Sequence, residues 1–164
     1  MNIDECHHSS NRRRLIGWGC GLFGLATVVR ISIAAADDKT RIAQPAKPTR
    51  EEFAKRAFEM RDLAVANGDQ GYGALIVNVA SLQVVGQSPS RVTTNGDPSA
   101  HAEMEAIRDA ARRVGRRDLS NHVMYSSSRP CPMCEAAAYW ANLDVMYFGQ
   151  YATDAGSPKL CRNG

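Results

Sequence analysis

The strongest constraint on the fold is a set of metal-binding side chain types at the starts of two predicted helices. The first group is His101-Ala102-Glu103 and the second is Pro130-Cys131-Pro132-Met133-Cys134. Cys131 and Cys134 are one helical turn apart, so both sulfur atoms can face one point beyond the helix end, where the helix dipole favours thiolates. Two thiolates and one imidazole suit Zn²⁺ in a tetrahedral site. The fold must therefore bring the N-termini of these two helices together.

Three protein ligands, His101, Cys131 and Cys134, would leave one position of a tetrahedral zinc ion open. An open position separates a catalytic zinc site from a structural one, because water bound there has its pKa lowered toward about 7. Glu103 lies two residues from His101, so its carboxylate is suited to take a proton from that water and to return it elsewhere. The spacing therefore predicts a catalytic zinc centre with Glu103 as its acid and base.

The His-x-Glu and Pro-Cys-x-x-Cys pair is a signature of zinc-dependent nucleobase deaminases. From about Arg50 to Asp154 the chain resembles the cytidine and deoxycytidylate deaminase superfamily, and within it most the bacterial guanine deaminases, followed by the tRNA adenosine deaminases. The further segments that carry this resemblance are Asn95-Gly96-Asp97-Pro98-Ser99-Ala100-His101, Ala138-Tyr139-Trp140-Ala141 and Thr153-Asp154-Ala155.

The resemblance implies hydrolytic deamination of a purine base or small nucleoside, with guanine to xanthine favoured and ammonia released. It implies one zinc ion per chain on His101, Cys131 and Cys134, with Glu103 moving protons between water, the ring nitrogen and the departing amine. It also implies a homodimer. The alternatives are a tRNA adenosine deaminase, a cytidine-type deaminase, and an exported zinc-binding protein without turnover.

The chain departs from the family pattern at positions that concern the substrate. Counting back from His101, Ser90 stands where both relatives have a substrate-binding asparagine, and a hydroxyl there replaces an amide that both donates and accepts. We take Ser90 and Ala102 as candidate substrate contacts. Arg129 stands where an acidic residue commonly precedes the Pro-Cys pair. The chain also ends ten residues after Asp154, whereas the relatives continue through a further element, so we expect an incomplete pocket lid.

The first 36 residues have the anatomy of a secretory signal. Arg12-Arg13-Arg14 precede fifteen residues without a charge, Leu15 to Val29, and Ala34-Ala35-Ala36 offers a cleavage site. Paired arginines before a weakly hydrophobic core resemble a twin-arginine signal. Fifteen residues at about 1.5 Å each are short for a bilayer core of about 30 Å. The sequence predicts cleavage after Ala36, a periplasmic protein and no membrane span after processing; a cytoplasmic or N-terminally anchored protein is the alternative.

The charge of the chain without residues 1–36 indicates which binding partners to expect. Removing 36 of the 164 residues leaves 128, with sixteen basic and fifteen acidic side chains and a net charge of +1. A surplus this small disfavours RNA or DNA as a partner, because nucleic-acid binding relies on basic surfaces. Three cysteines remain, too few for a disulfide framework. We therefore expect a small-molecule base or nucleoside as the substrate.

Helical and strand patterns alternate after a short polar linker over residues 37–49. They predict helices from Arg50 to Ala66, Pro98 to Val114 and Pro132 to about Asn142, and strands at Tyr72 to Val79, Leu82 to Val85, His122 to Tyr125 and Asp144 to Phe148. A strand, a helix and a strand in the last third imply a crossover with parallel pairing. We predict a three-layer α/β/α sandwich with a mixed central sheet, like that of cytidine deaminases, over residues 50–164.

Four other histidine, aromatic and cysteine residues are expected to have structural rather than catalytic roles. His122 opens a predicted strand away from both helix starts, so we expect a surface or hydrogen-bonded histidine. Tyr139 and Trp140 are predicted to pack in the core rather than to stack on a base. Cys161 is expected to be a free thiol near the chain end. The alternative to the catalytic zinc centre is a structural site completed by His122 or Cys161.

Overall fold

The computed structural model describes residues 42–160. The predicted signal over residues 1–36, the start of the predicted linker and Cys161 lie outside the described residues. The elements in chain order are α1 (Arg50–Ala66), β1 (Gly73–Asn78), β2 (Val84–Pro89), α2 (Val92–Asn95), α3 (Ala102–Val114), β3 (His122–Ser126), α4 (Pro132–Trp140), β4 (Val145–Phe148) and β5 (Thr153–Gly156). Between residues 42 and 160, none of these helices has the length and apolar character needed to cross a membrane.

The strands form one mixed sheet in the order β2-β1-β3-β4-β5. β1 runs antiparallel to both β2 and β3, and β4 runs antiparallel to β5. β3 and β4 are parallel and are joined through α4. The parallel pair predicted for the last third of the chain is confirmed.

Helices cover both faces of this sheet. Along β1 the side chains alternate, as a strand requires. Leu75 and Val77 belong to a core cluster with Phe53 of α1, while Ala74 and Ile76 belong to a second cluster with residues of α3 and α4. The predicted three-layer sandwich is therefore confirmed, and it holds α3 and α4 on the same face.

Two glycines allow the helices to approach the sheet closely. A Cβ atom at Gly73 would lie 2.3 Å from the carbonyl oxygen of Ala57 in α1, and one at Gly86 would lie 2.5 Å from the backbone nitrogen of Ala110 in α3. Real Cβ atoms do not come this close to backbone atoms. Glycine at these positions therefore sets how deeply α1 and α3 sit on the sheet.

The predicted start of the second long helix at Pro98 is wrong, because α3 begins at Ala102 with His101 as its N-cap. Asp97 instead stabilises a turn. Its Oδ1 atom accepts hydrogen bonds from the backbone nitrogen of Ser99 at 2.7 Å and from the Ser99 hydroxyl at 2.8 Å. These local bonds compete with a helix. The later start is functionally important, since it puts His101 at the helix end.

Other boundaries also differ from the prediction. The second strand runs over Val84–Pro89 rather than from Leu82 to Val85, and Leu82 has a left-handed backbone with φ of 55°. That conformation belongs to the turn between β1 and β2 rather than to a strand. The short helix α2 and the edge strand β5 were not predicted, because their sequences, Val-Thr-Thr-Asn and Thr-Asp-Ala-Gly, carry no apolar pattern.

The described end of the predicted linker belongs to the folded domain. Ile42 is buried with Val84 in the core cluster on the α1 face. The Gln44 amide donates to the carbonyl oxygen of Val84 at 2.9 Å and accepts from its backbone nitrogen at 2.7 Å. Residues 42–44 therefore pack along β2, although their polar, proline-containing surroundings suggested a linker.

Candidate metal centre and active site

The metal-binding side chains lie at the N-terminal ends of two helices on one face of the sheet. His101 is the N-cap of α3 and Cys131 is the N-cap of α4, and both have extended backbone conformations. Neither side chain makes a capping hydrogen bond to its helix. Cys134 lies one turn into α4. The two caps therefore leave the imidazole and the thiol available for a shared partner.

The three donor atoms lie at the separations that one tetrahedral zinc ion requires. The Sγ atoms of Cys131 and Cys134 are 3.6 Å apart, and each lies 3.7 Å from Nδ1 of His101. Ligands at about 2.3 Å for sulfur and about 2.0 Å for nitrogen lie roughly 3.5–3.8 Å from one another around a tetrahedral ion. The residues present fit zinc, with His101 coordinating through Nδ1, and the prediction that these three side chains come together is confirmed.

Burial dominates the chemistry of the second cysteine. Cys134 is fully buried, and burial raises the pKa of its thiol, with the neighbouring Glu103 carboxylate as the next cause. Burial of Cys134 therefore opposes the helix dipole, which favours the thiolate. A thiolate at this position needs a cation beside it, and a coordinated zinc ion supplies that charge.

Glu103 is held between the metal-binding atoms and the end of β3. It is 4% exposed, its Oε1 atom accepts a hydrogen bond from the Ser126 hydroxyl at 3.0 Å, and its Oε2 atom lies 3.6 Å from Sγ of Cys134. One carboxylate oxygen is thus anchored while the other faces the metal ligands. A carboxylate held in this way can accept and return a proton beside the metal position.

A cavity of about 300 Å³ opens onto this centre. It is lined by Gln70, Tyr72, His101, Glu103, Ser128, Arg129 and Cys131. Its volume lies at the small end of the range for ligand pockets, which run from about 300 to 1,000 Å³. A larger groove of about 540 Å³ between α1 and α3 contains none of the predicted site residues. The smaller cavity is therefore the candidate substrate pocket.

The two candidate substrate contacts lie outside the lining of this cavity. Ser90 is 2% exposed and donates its hydroxyl to Oδ1 of Asp69 at 2.9 Å. Ala102 is fully buried, and its side chain packs in the core cluster beneath α3. Their predicted contacts with substrate stay predictions, and for Ala102 only the backbone could supply one.

Asp69 connects three segments near the cavity. Its carboxylate accepts from the backbone nitrogens of Gln70 and Thr94 at 2.8 Å each, from the Thr94 hydroxyl at 3.0 Å, and from Ser90. Burial raises the pKa of Asp69, but the hydrogen bonds from Thr94, Gln70 and Ser90 together lower it to about 2. The ionised carboxylate therefore fixes the backbone of Gln70, a cavity residue.

The alternative structural zinc site with His122 is not formed. His122 is buried in β3, with Nε2 3.2 Å from the Asn78 side-chain nitrogen and Nδ1 3.0 Å from the carbonyl oxygen of Ser120. The prediction of a hydrogen-bonded histidine is confirmed. Within residues 42–160, His101, Cys131 and Cys134 are the cluster of side chains able to share a metal ion. Cys161 lies outside the described residues.

Some cavity residues were not found from the sequence. Ser126 is the last residue of β3 and Ser128 follows the strand, so the strand end before a metal motif was the available signal. Gln70 and Tyr72 lie in the turn before β1, thirty residues from His101, and no local pattern marks them. Tyr139 and Trp140, predicted to be in the core, are 40% and 61% exposed, because α4 buries its opposite side.

Comparison with known proteins agrees with this geometry. The family described as the cytidine and deoxycytidylate deaminase zinc-binding region matches residues 47–150. The chain belongs to this family. It is 41% identical over 106 residues to the guanine deaminase of Bacillus subtilis, covering 64% of this chain and 67% of that protein. It is 32% identical over 107 residues to a tRNA-specific adenosine deaminase of Haemophilus influenzae, covering 64% of this chain and 61% of that protein.

Solved structures of deaminase family members share the fold. The X-ray structure of guanine deaminase from Bacillus subtilis superimposes with a TM-score of 0.58 at 36% identity, covering 62% of this chain and 64% of that chain. The present chain thus spans about two thirds of the length of the relatives it matches. As in the family description, the deaminase domain here is a zinc-binding one, and its matched region contains all three ligands and Glu103.

Proposed function

We propose that this deaminase family member hydrolyses the exocyclic amine of a purine base, with guanine converted to xanthine and ammonia. The observation that carries the proposal is the position of Glu103, a buried carboxylate between three zinc ligands and a cavity that suits a single base. Identity to a guanine deaminase over the same segment supports guanine as the substrate.

The overall reaction consumes one water molecule and releases one ammonia molecule. A zinc ion held by His101, Cys131 and Cys134 would lower the pKa of a bound water molecule and so supply the nucleophile. Glu103 accepts the proton from that water on Oε2, since Oε1 is held by the Ser126 hydroxyl. Glu103 then delivers this proton to a ring nitrogen of the base, takes a second proton from the hydroxyl added at C2 and passes it to the departing amine, which makes it base and acid in turn.

The decisive experiment measures ammonia release from guanine, adenine, cytosine, their nucleosides and a tRNA anticodon arm by the zinc-loaded protein. We expect release from guanine that falls by about a hundredfold or more in Glu103→Gln, in line with the usual contribution of general acid-base catalysis. Zinc content, measured by elemental analysis, should be unchanged in that variant. Glu59→Gln, an exposed carboxylate of α1, is the matched control and should keep full activity.

The outcomes separate the alternatives clearly. Release from adenosine in a tRNA anticodon arm but not from guanine would support a tRNA adenosine deaminase, and release from cytosine or cytidine would support a cytidine-type enzyme. Bound zinc without Glu103-dependent release from any substrate would support a zinc-binding protein without turnover and would refute the proposal.

We also propose that residues 1–36 form a twin-arginine signal and that the processed protein is periplasmic. The support is the arginine run at residues 12–14, the uncharged stretch that follows it and the alanines at residues 34–36. The described domain contacts start at Ile42, so cleavage after Ala36 would leave them in place. N-terminal sequencing of the protein from periplasmic and cytoplasmic fractions tests this, and a chain that starts at Met1 in the cytoplasm would contradict it.

We propose further that the protein is a homodimer. The support is an apolar surface on α4, formed by Met133, Tyr139 and Trp140, whose side chains are 37–61% exposed. Tyr139 and Trp140 also contact each other edge to face at 5.6 Å between ring centroids. Light scattering coupled to size-exclusion chromatography should give twice the chain mass, and Trp140→Glu should shift it to the single chain mass. A wild-type protein of single chain mass would refute the dimer.

A further inference from the structure

We propose that Arg129 selects the base, donating two hydrogen bonds from its guanidinium to the O6 and N7 atoms of guanine. This inference rests on the proposed function and goes beyond it, because it assigns the recognition of the purine edge to a residue outside the zinc centre.

Arg129 lies in the candidate substrate pocket. It lines the same cavity as Glu103 and Cys131, and its own side chain is exposed at the opening. Its Cζ atom lies 6.0 Å from the centroid of the Phe148 ring, at the end of β4. This cation–π contact places the guanidinium beside an aromatic ring. The charged group is thus positioned by the fold.

The guanidinium of Arg129 has different partners from those of the arginines in α1 and α3. Arg56, Arg108 and Arg113 each pair with a carboxylate at an i−3, i+3 or i−4 position of their own helix. Within residues 42–160, Arg129 has no carboxylate within 4.0 Å. Its donors are therefore available to a ligand in the cavity.

The donors of the Arg129 guanidinium match the acceptors on the O6 and N7 edge of guanine. A guanidinium has five N–H donors, no acceptor and a fixed positive charge. The O6 and N7 atoms of guanine are two adjacent acceptors, and arginine binds them through two parallel hydrogen bonds. Adenine offers N7 but has an amino group in place of O6, so one donor of Arg129 would face another donor. Arg129 therefore favours a 6-oxopurine over adenine.

The orientation that the reaction requires agrees with this contact. Hydrolysis at C2 of guanine requires C2 to face Glu103 and the metal ligands. The O6 and N7 atoms lie on the opposite side of the purine from C2, so they point away from the metal centre. A long side chain at the cavity opening can reach that edge, while the zinc ligands cannot. Arg129 is the cationic side chain that lines this cavity in the described part of the chain.

The test combines changes in the protein with changes in the base. Guanine, 7-deazaguanine, which lacks the N7 acceptor, and 2-aminopurine, which lacks O6, are compared on wild type, Arg129→Ala and Arg129→Lys. We expect wild type to prefer guanine over each analogue by about ten- to a hundredfold in kcat/KM. The preference should disappear in Arg129→Ala and be reduced in Arg129→Lys, which keeps the charge without the two parallel donors. Arg117→Ala, which removes an exposed charge outside the cavity lining, is the matched control.

A binding measurement makes the test independent of turnover. Zinc-loaded Glu103→Gln, with and without Arg129→Ala, is titrated with the same three bases in a calorimeter. Guanine binding that weakens about ten- to a hundredfold on loss of Arg129, with smaller losses for the two analogues because each keeps one of the two acceptors, is the expected result. Equal discrimination with and without Arg129, or no guanine binding at all, would overturn the assignment. Glu103-dependent deamination of guanine, with the same preference over the analogues in wild type and Arg129→Ala, would leave the proposed function standing and refute this inference alone.

Discussion

At the scale of single residues, the carboxylate of Asp69, which lies outside the cavity lining, fixes the backbone of one lining residue, Gln70. Asp69 receives four hydrogen bonds, and through them it joins the turn before β1, the residue Ser90 after β2 and the short helix α2. Ser90 is a partner in this cluster, and its hydroxyl is already used there. The shared Asp69 carboxylate therefore links the position of Ser90 to that of Gln70.

The stability contributed by Asp69 should depend on pH. Its folded-state pKa is lowered to about 2 from an ordinary value of 3.8. The ionised form is favoured by folding, so the contribution is fully present above about pH 4 and is lost as the pH falls toward 2. Urea unfolding of wild type and Asp69→Asn from pH 7 to pH 2.5 should show a difference that shrinks as the pH falls. Asp62→Asn, an exposed carboxylate on α1, should show almost no difference, and a constant gap for Asp69→Asn would contradict this account.

At the scale of elements, the position of α3 on the sheet determines where His101 and Glu103 lie. The helix sits directly on Gly86, where a Cβ atom would clash with the backbone of Ala106 and Ala110. Because these are backbone atoms of a helix, no side-chain rotation can relieve the clash. The active site therefore depends on a glycine in β2, away from the cavity lining.

Gly86→Ala should push α3 outward. We expect the free energy of unfolding to fall by about 1–3 kcal/mol, the usual cost of overpacking, and zinc affinity to weaken because His101 moves away from the cysteines. Chemical denaturation and competition with a zinc chelator measure the two effects. At Gly71 a Cβ atom would meet only side chains, of which Val65 is the nearest at 3.1 Å, so Gly71→Ala should be milder in both effects. Equal effects of the two variants would refute the role of Gly86.

Elements with an apolar pattern bounded by turns were predictable from the sequence, and the short polar elements α2 and β5 were not. The bounds of α1 agree with the prediction, and β3 and β4 agree to within one residue, because each has an apolar pattern ended by a turn. The zinc ligands were predictable because Cys131 and Cys134 share one helix and spacing alone sets their geometry. Gln70 was not, since it reaches the cavity only through tertiary contacts that Asp69 makes with distant segments.

At the scale of the whole molecule, a zinc ion would connect the N-termini of α3 and α4. His101 begins α3 and Cys131 begins α4, and the sheet carries both on one face. A metal ion bound to both therefore links chain segments thirty residues apart. Binding of this kind stabilises the folded state in proportion to its affinity.

Removal of zinc should lower the melting temperature of the protein. At a free zinc concentration a thousand times the Kd the stabilisation is about 4 kcal/mol, which corresponds to a shift on the order of 10 °C for a chain of this size. Calorimetry with and without a chelator measures this shift. The Cys131→Ser, Cys134→Ser double variant should melt at the lower temperature in both conditions, and an unchanged wild-type melting temperature would argue against a structural contribution from the metal.

The contact between Gln44 and Val84 has a consequence for how these molecules behave at high concentration. β2 is an edge strand, and an unpaired edge can add strands from other chains and start aggregation. The Gln44 amide occupies one donor and one acceptor of that edge, as a neighbouring strand would. The Gln44 side chain thereby blocks part of the β2 edge from pairing with a strand of another chain. A truncation that removes residues 42–44 would leave the catalytic groups in place but open the sheet to self-association.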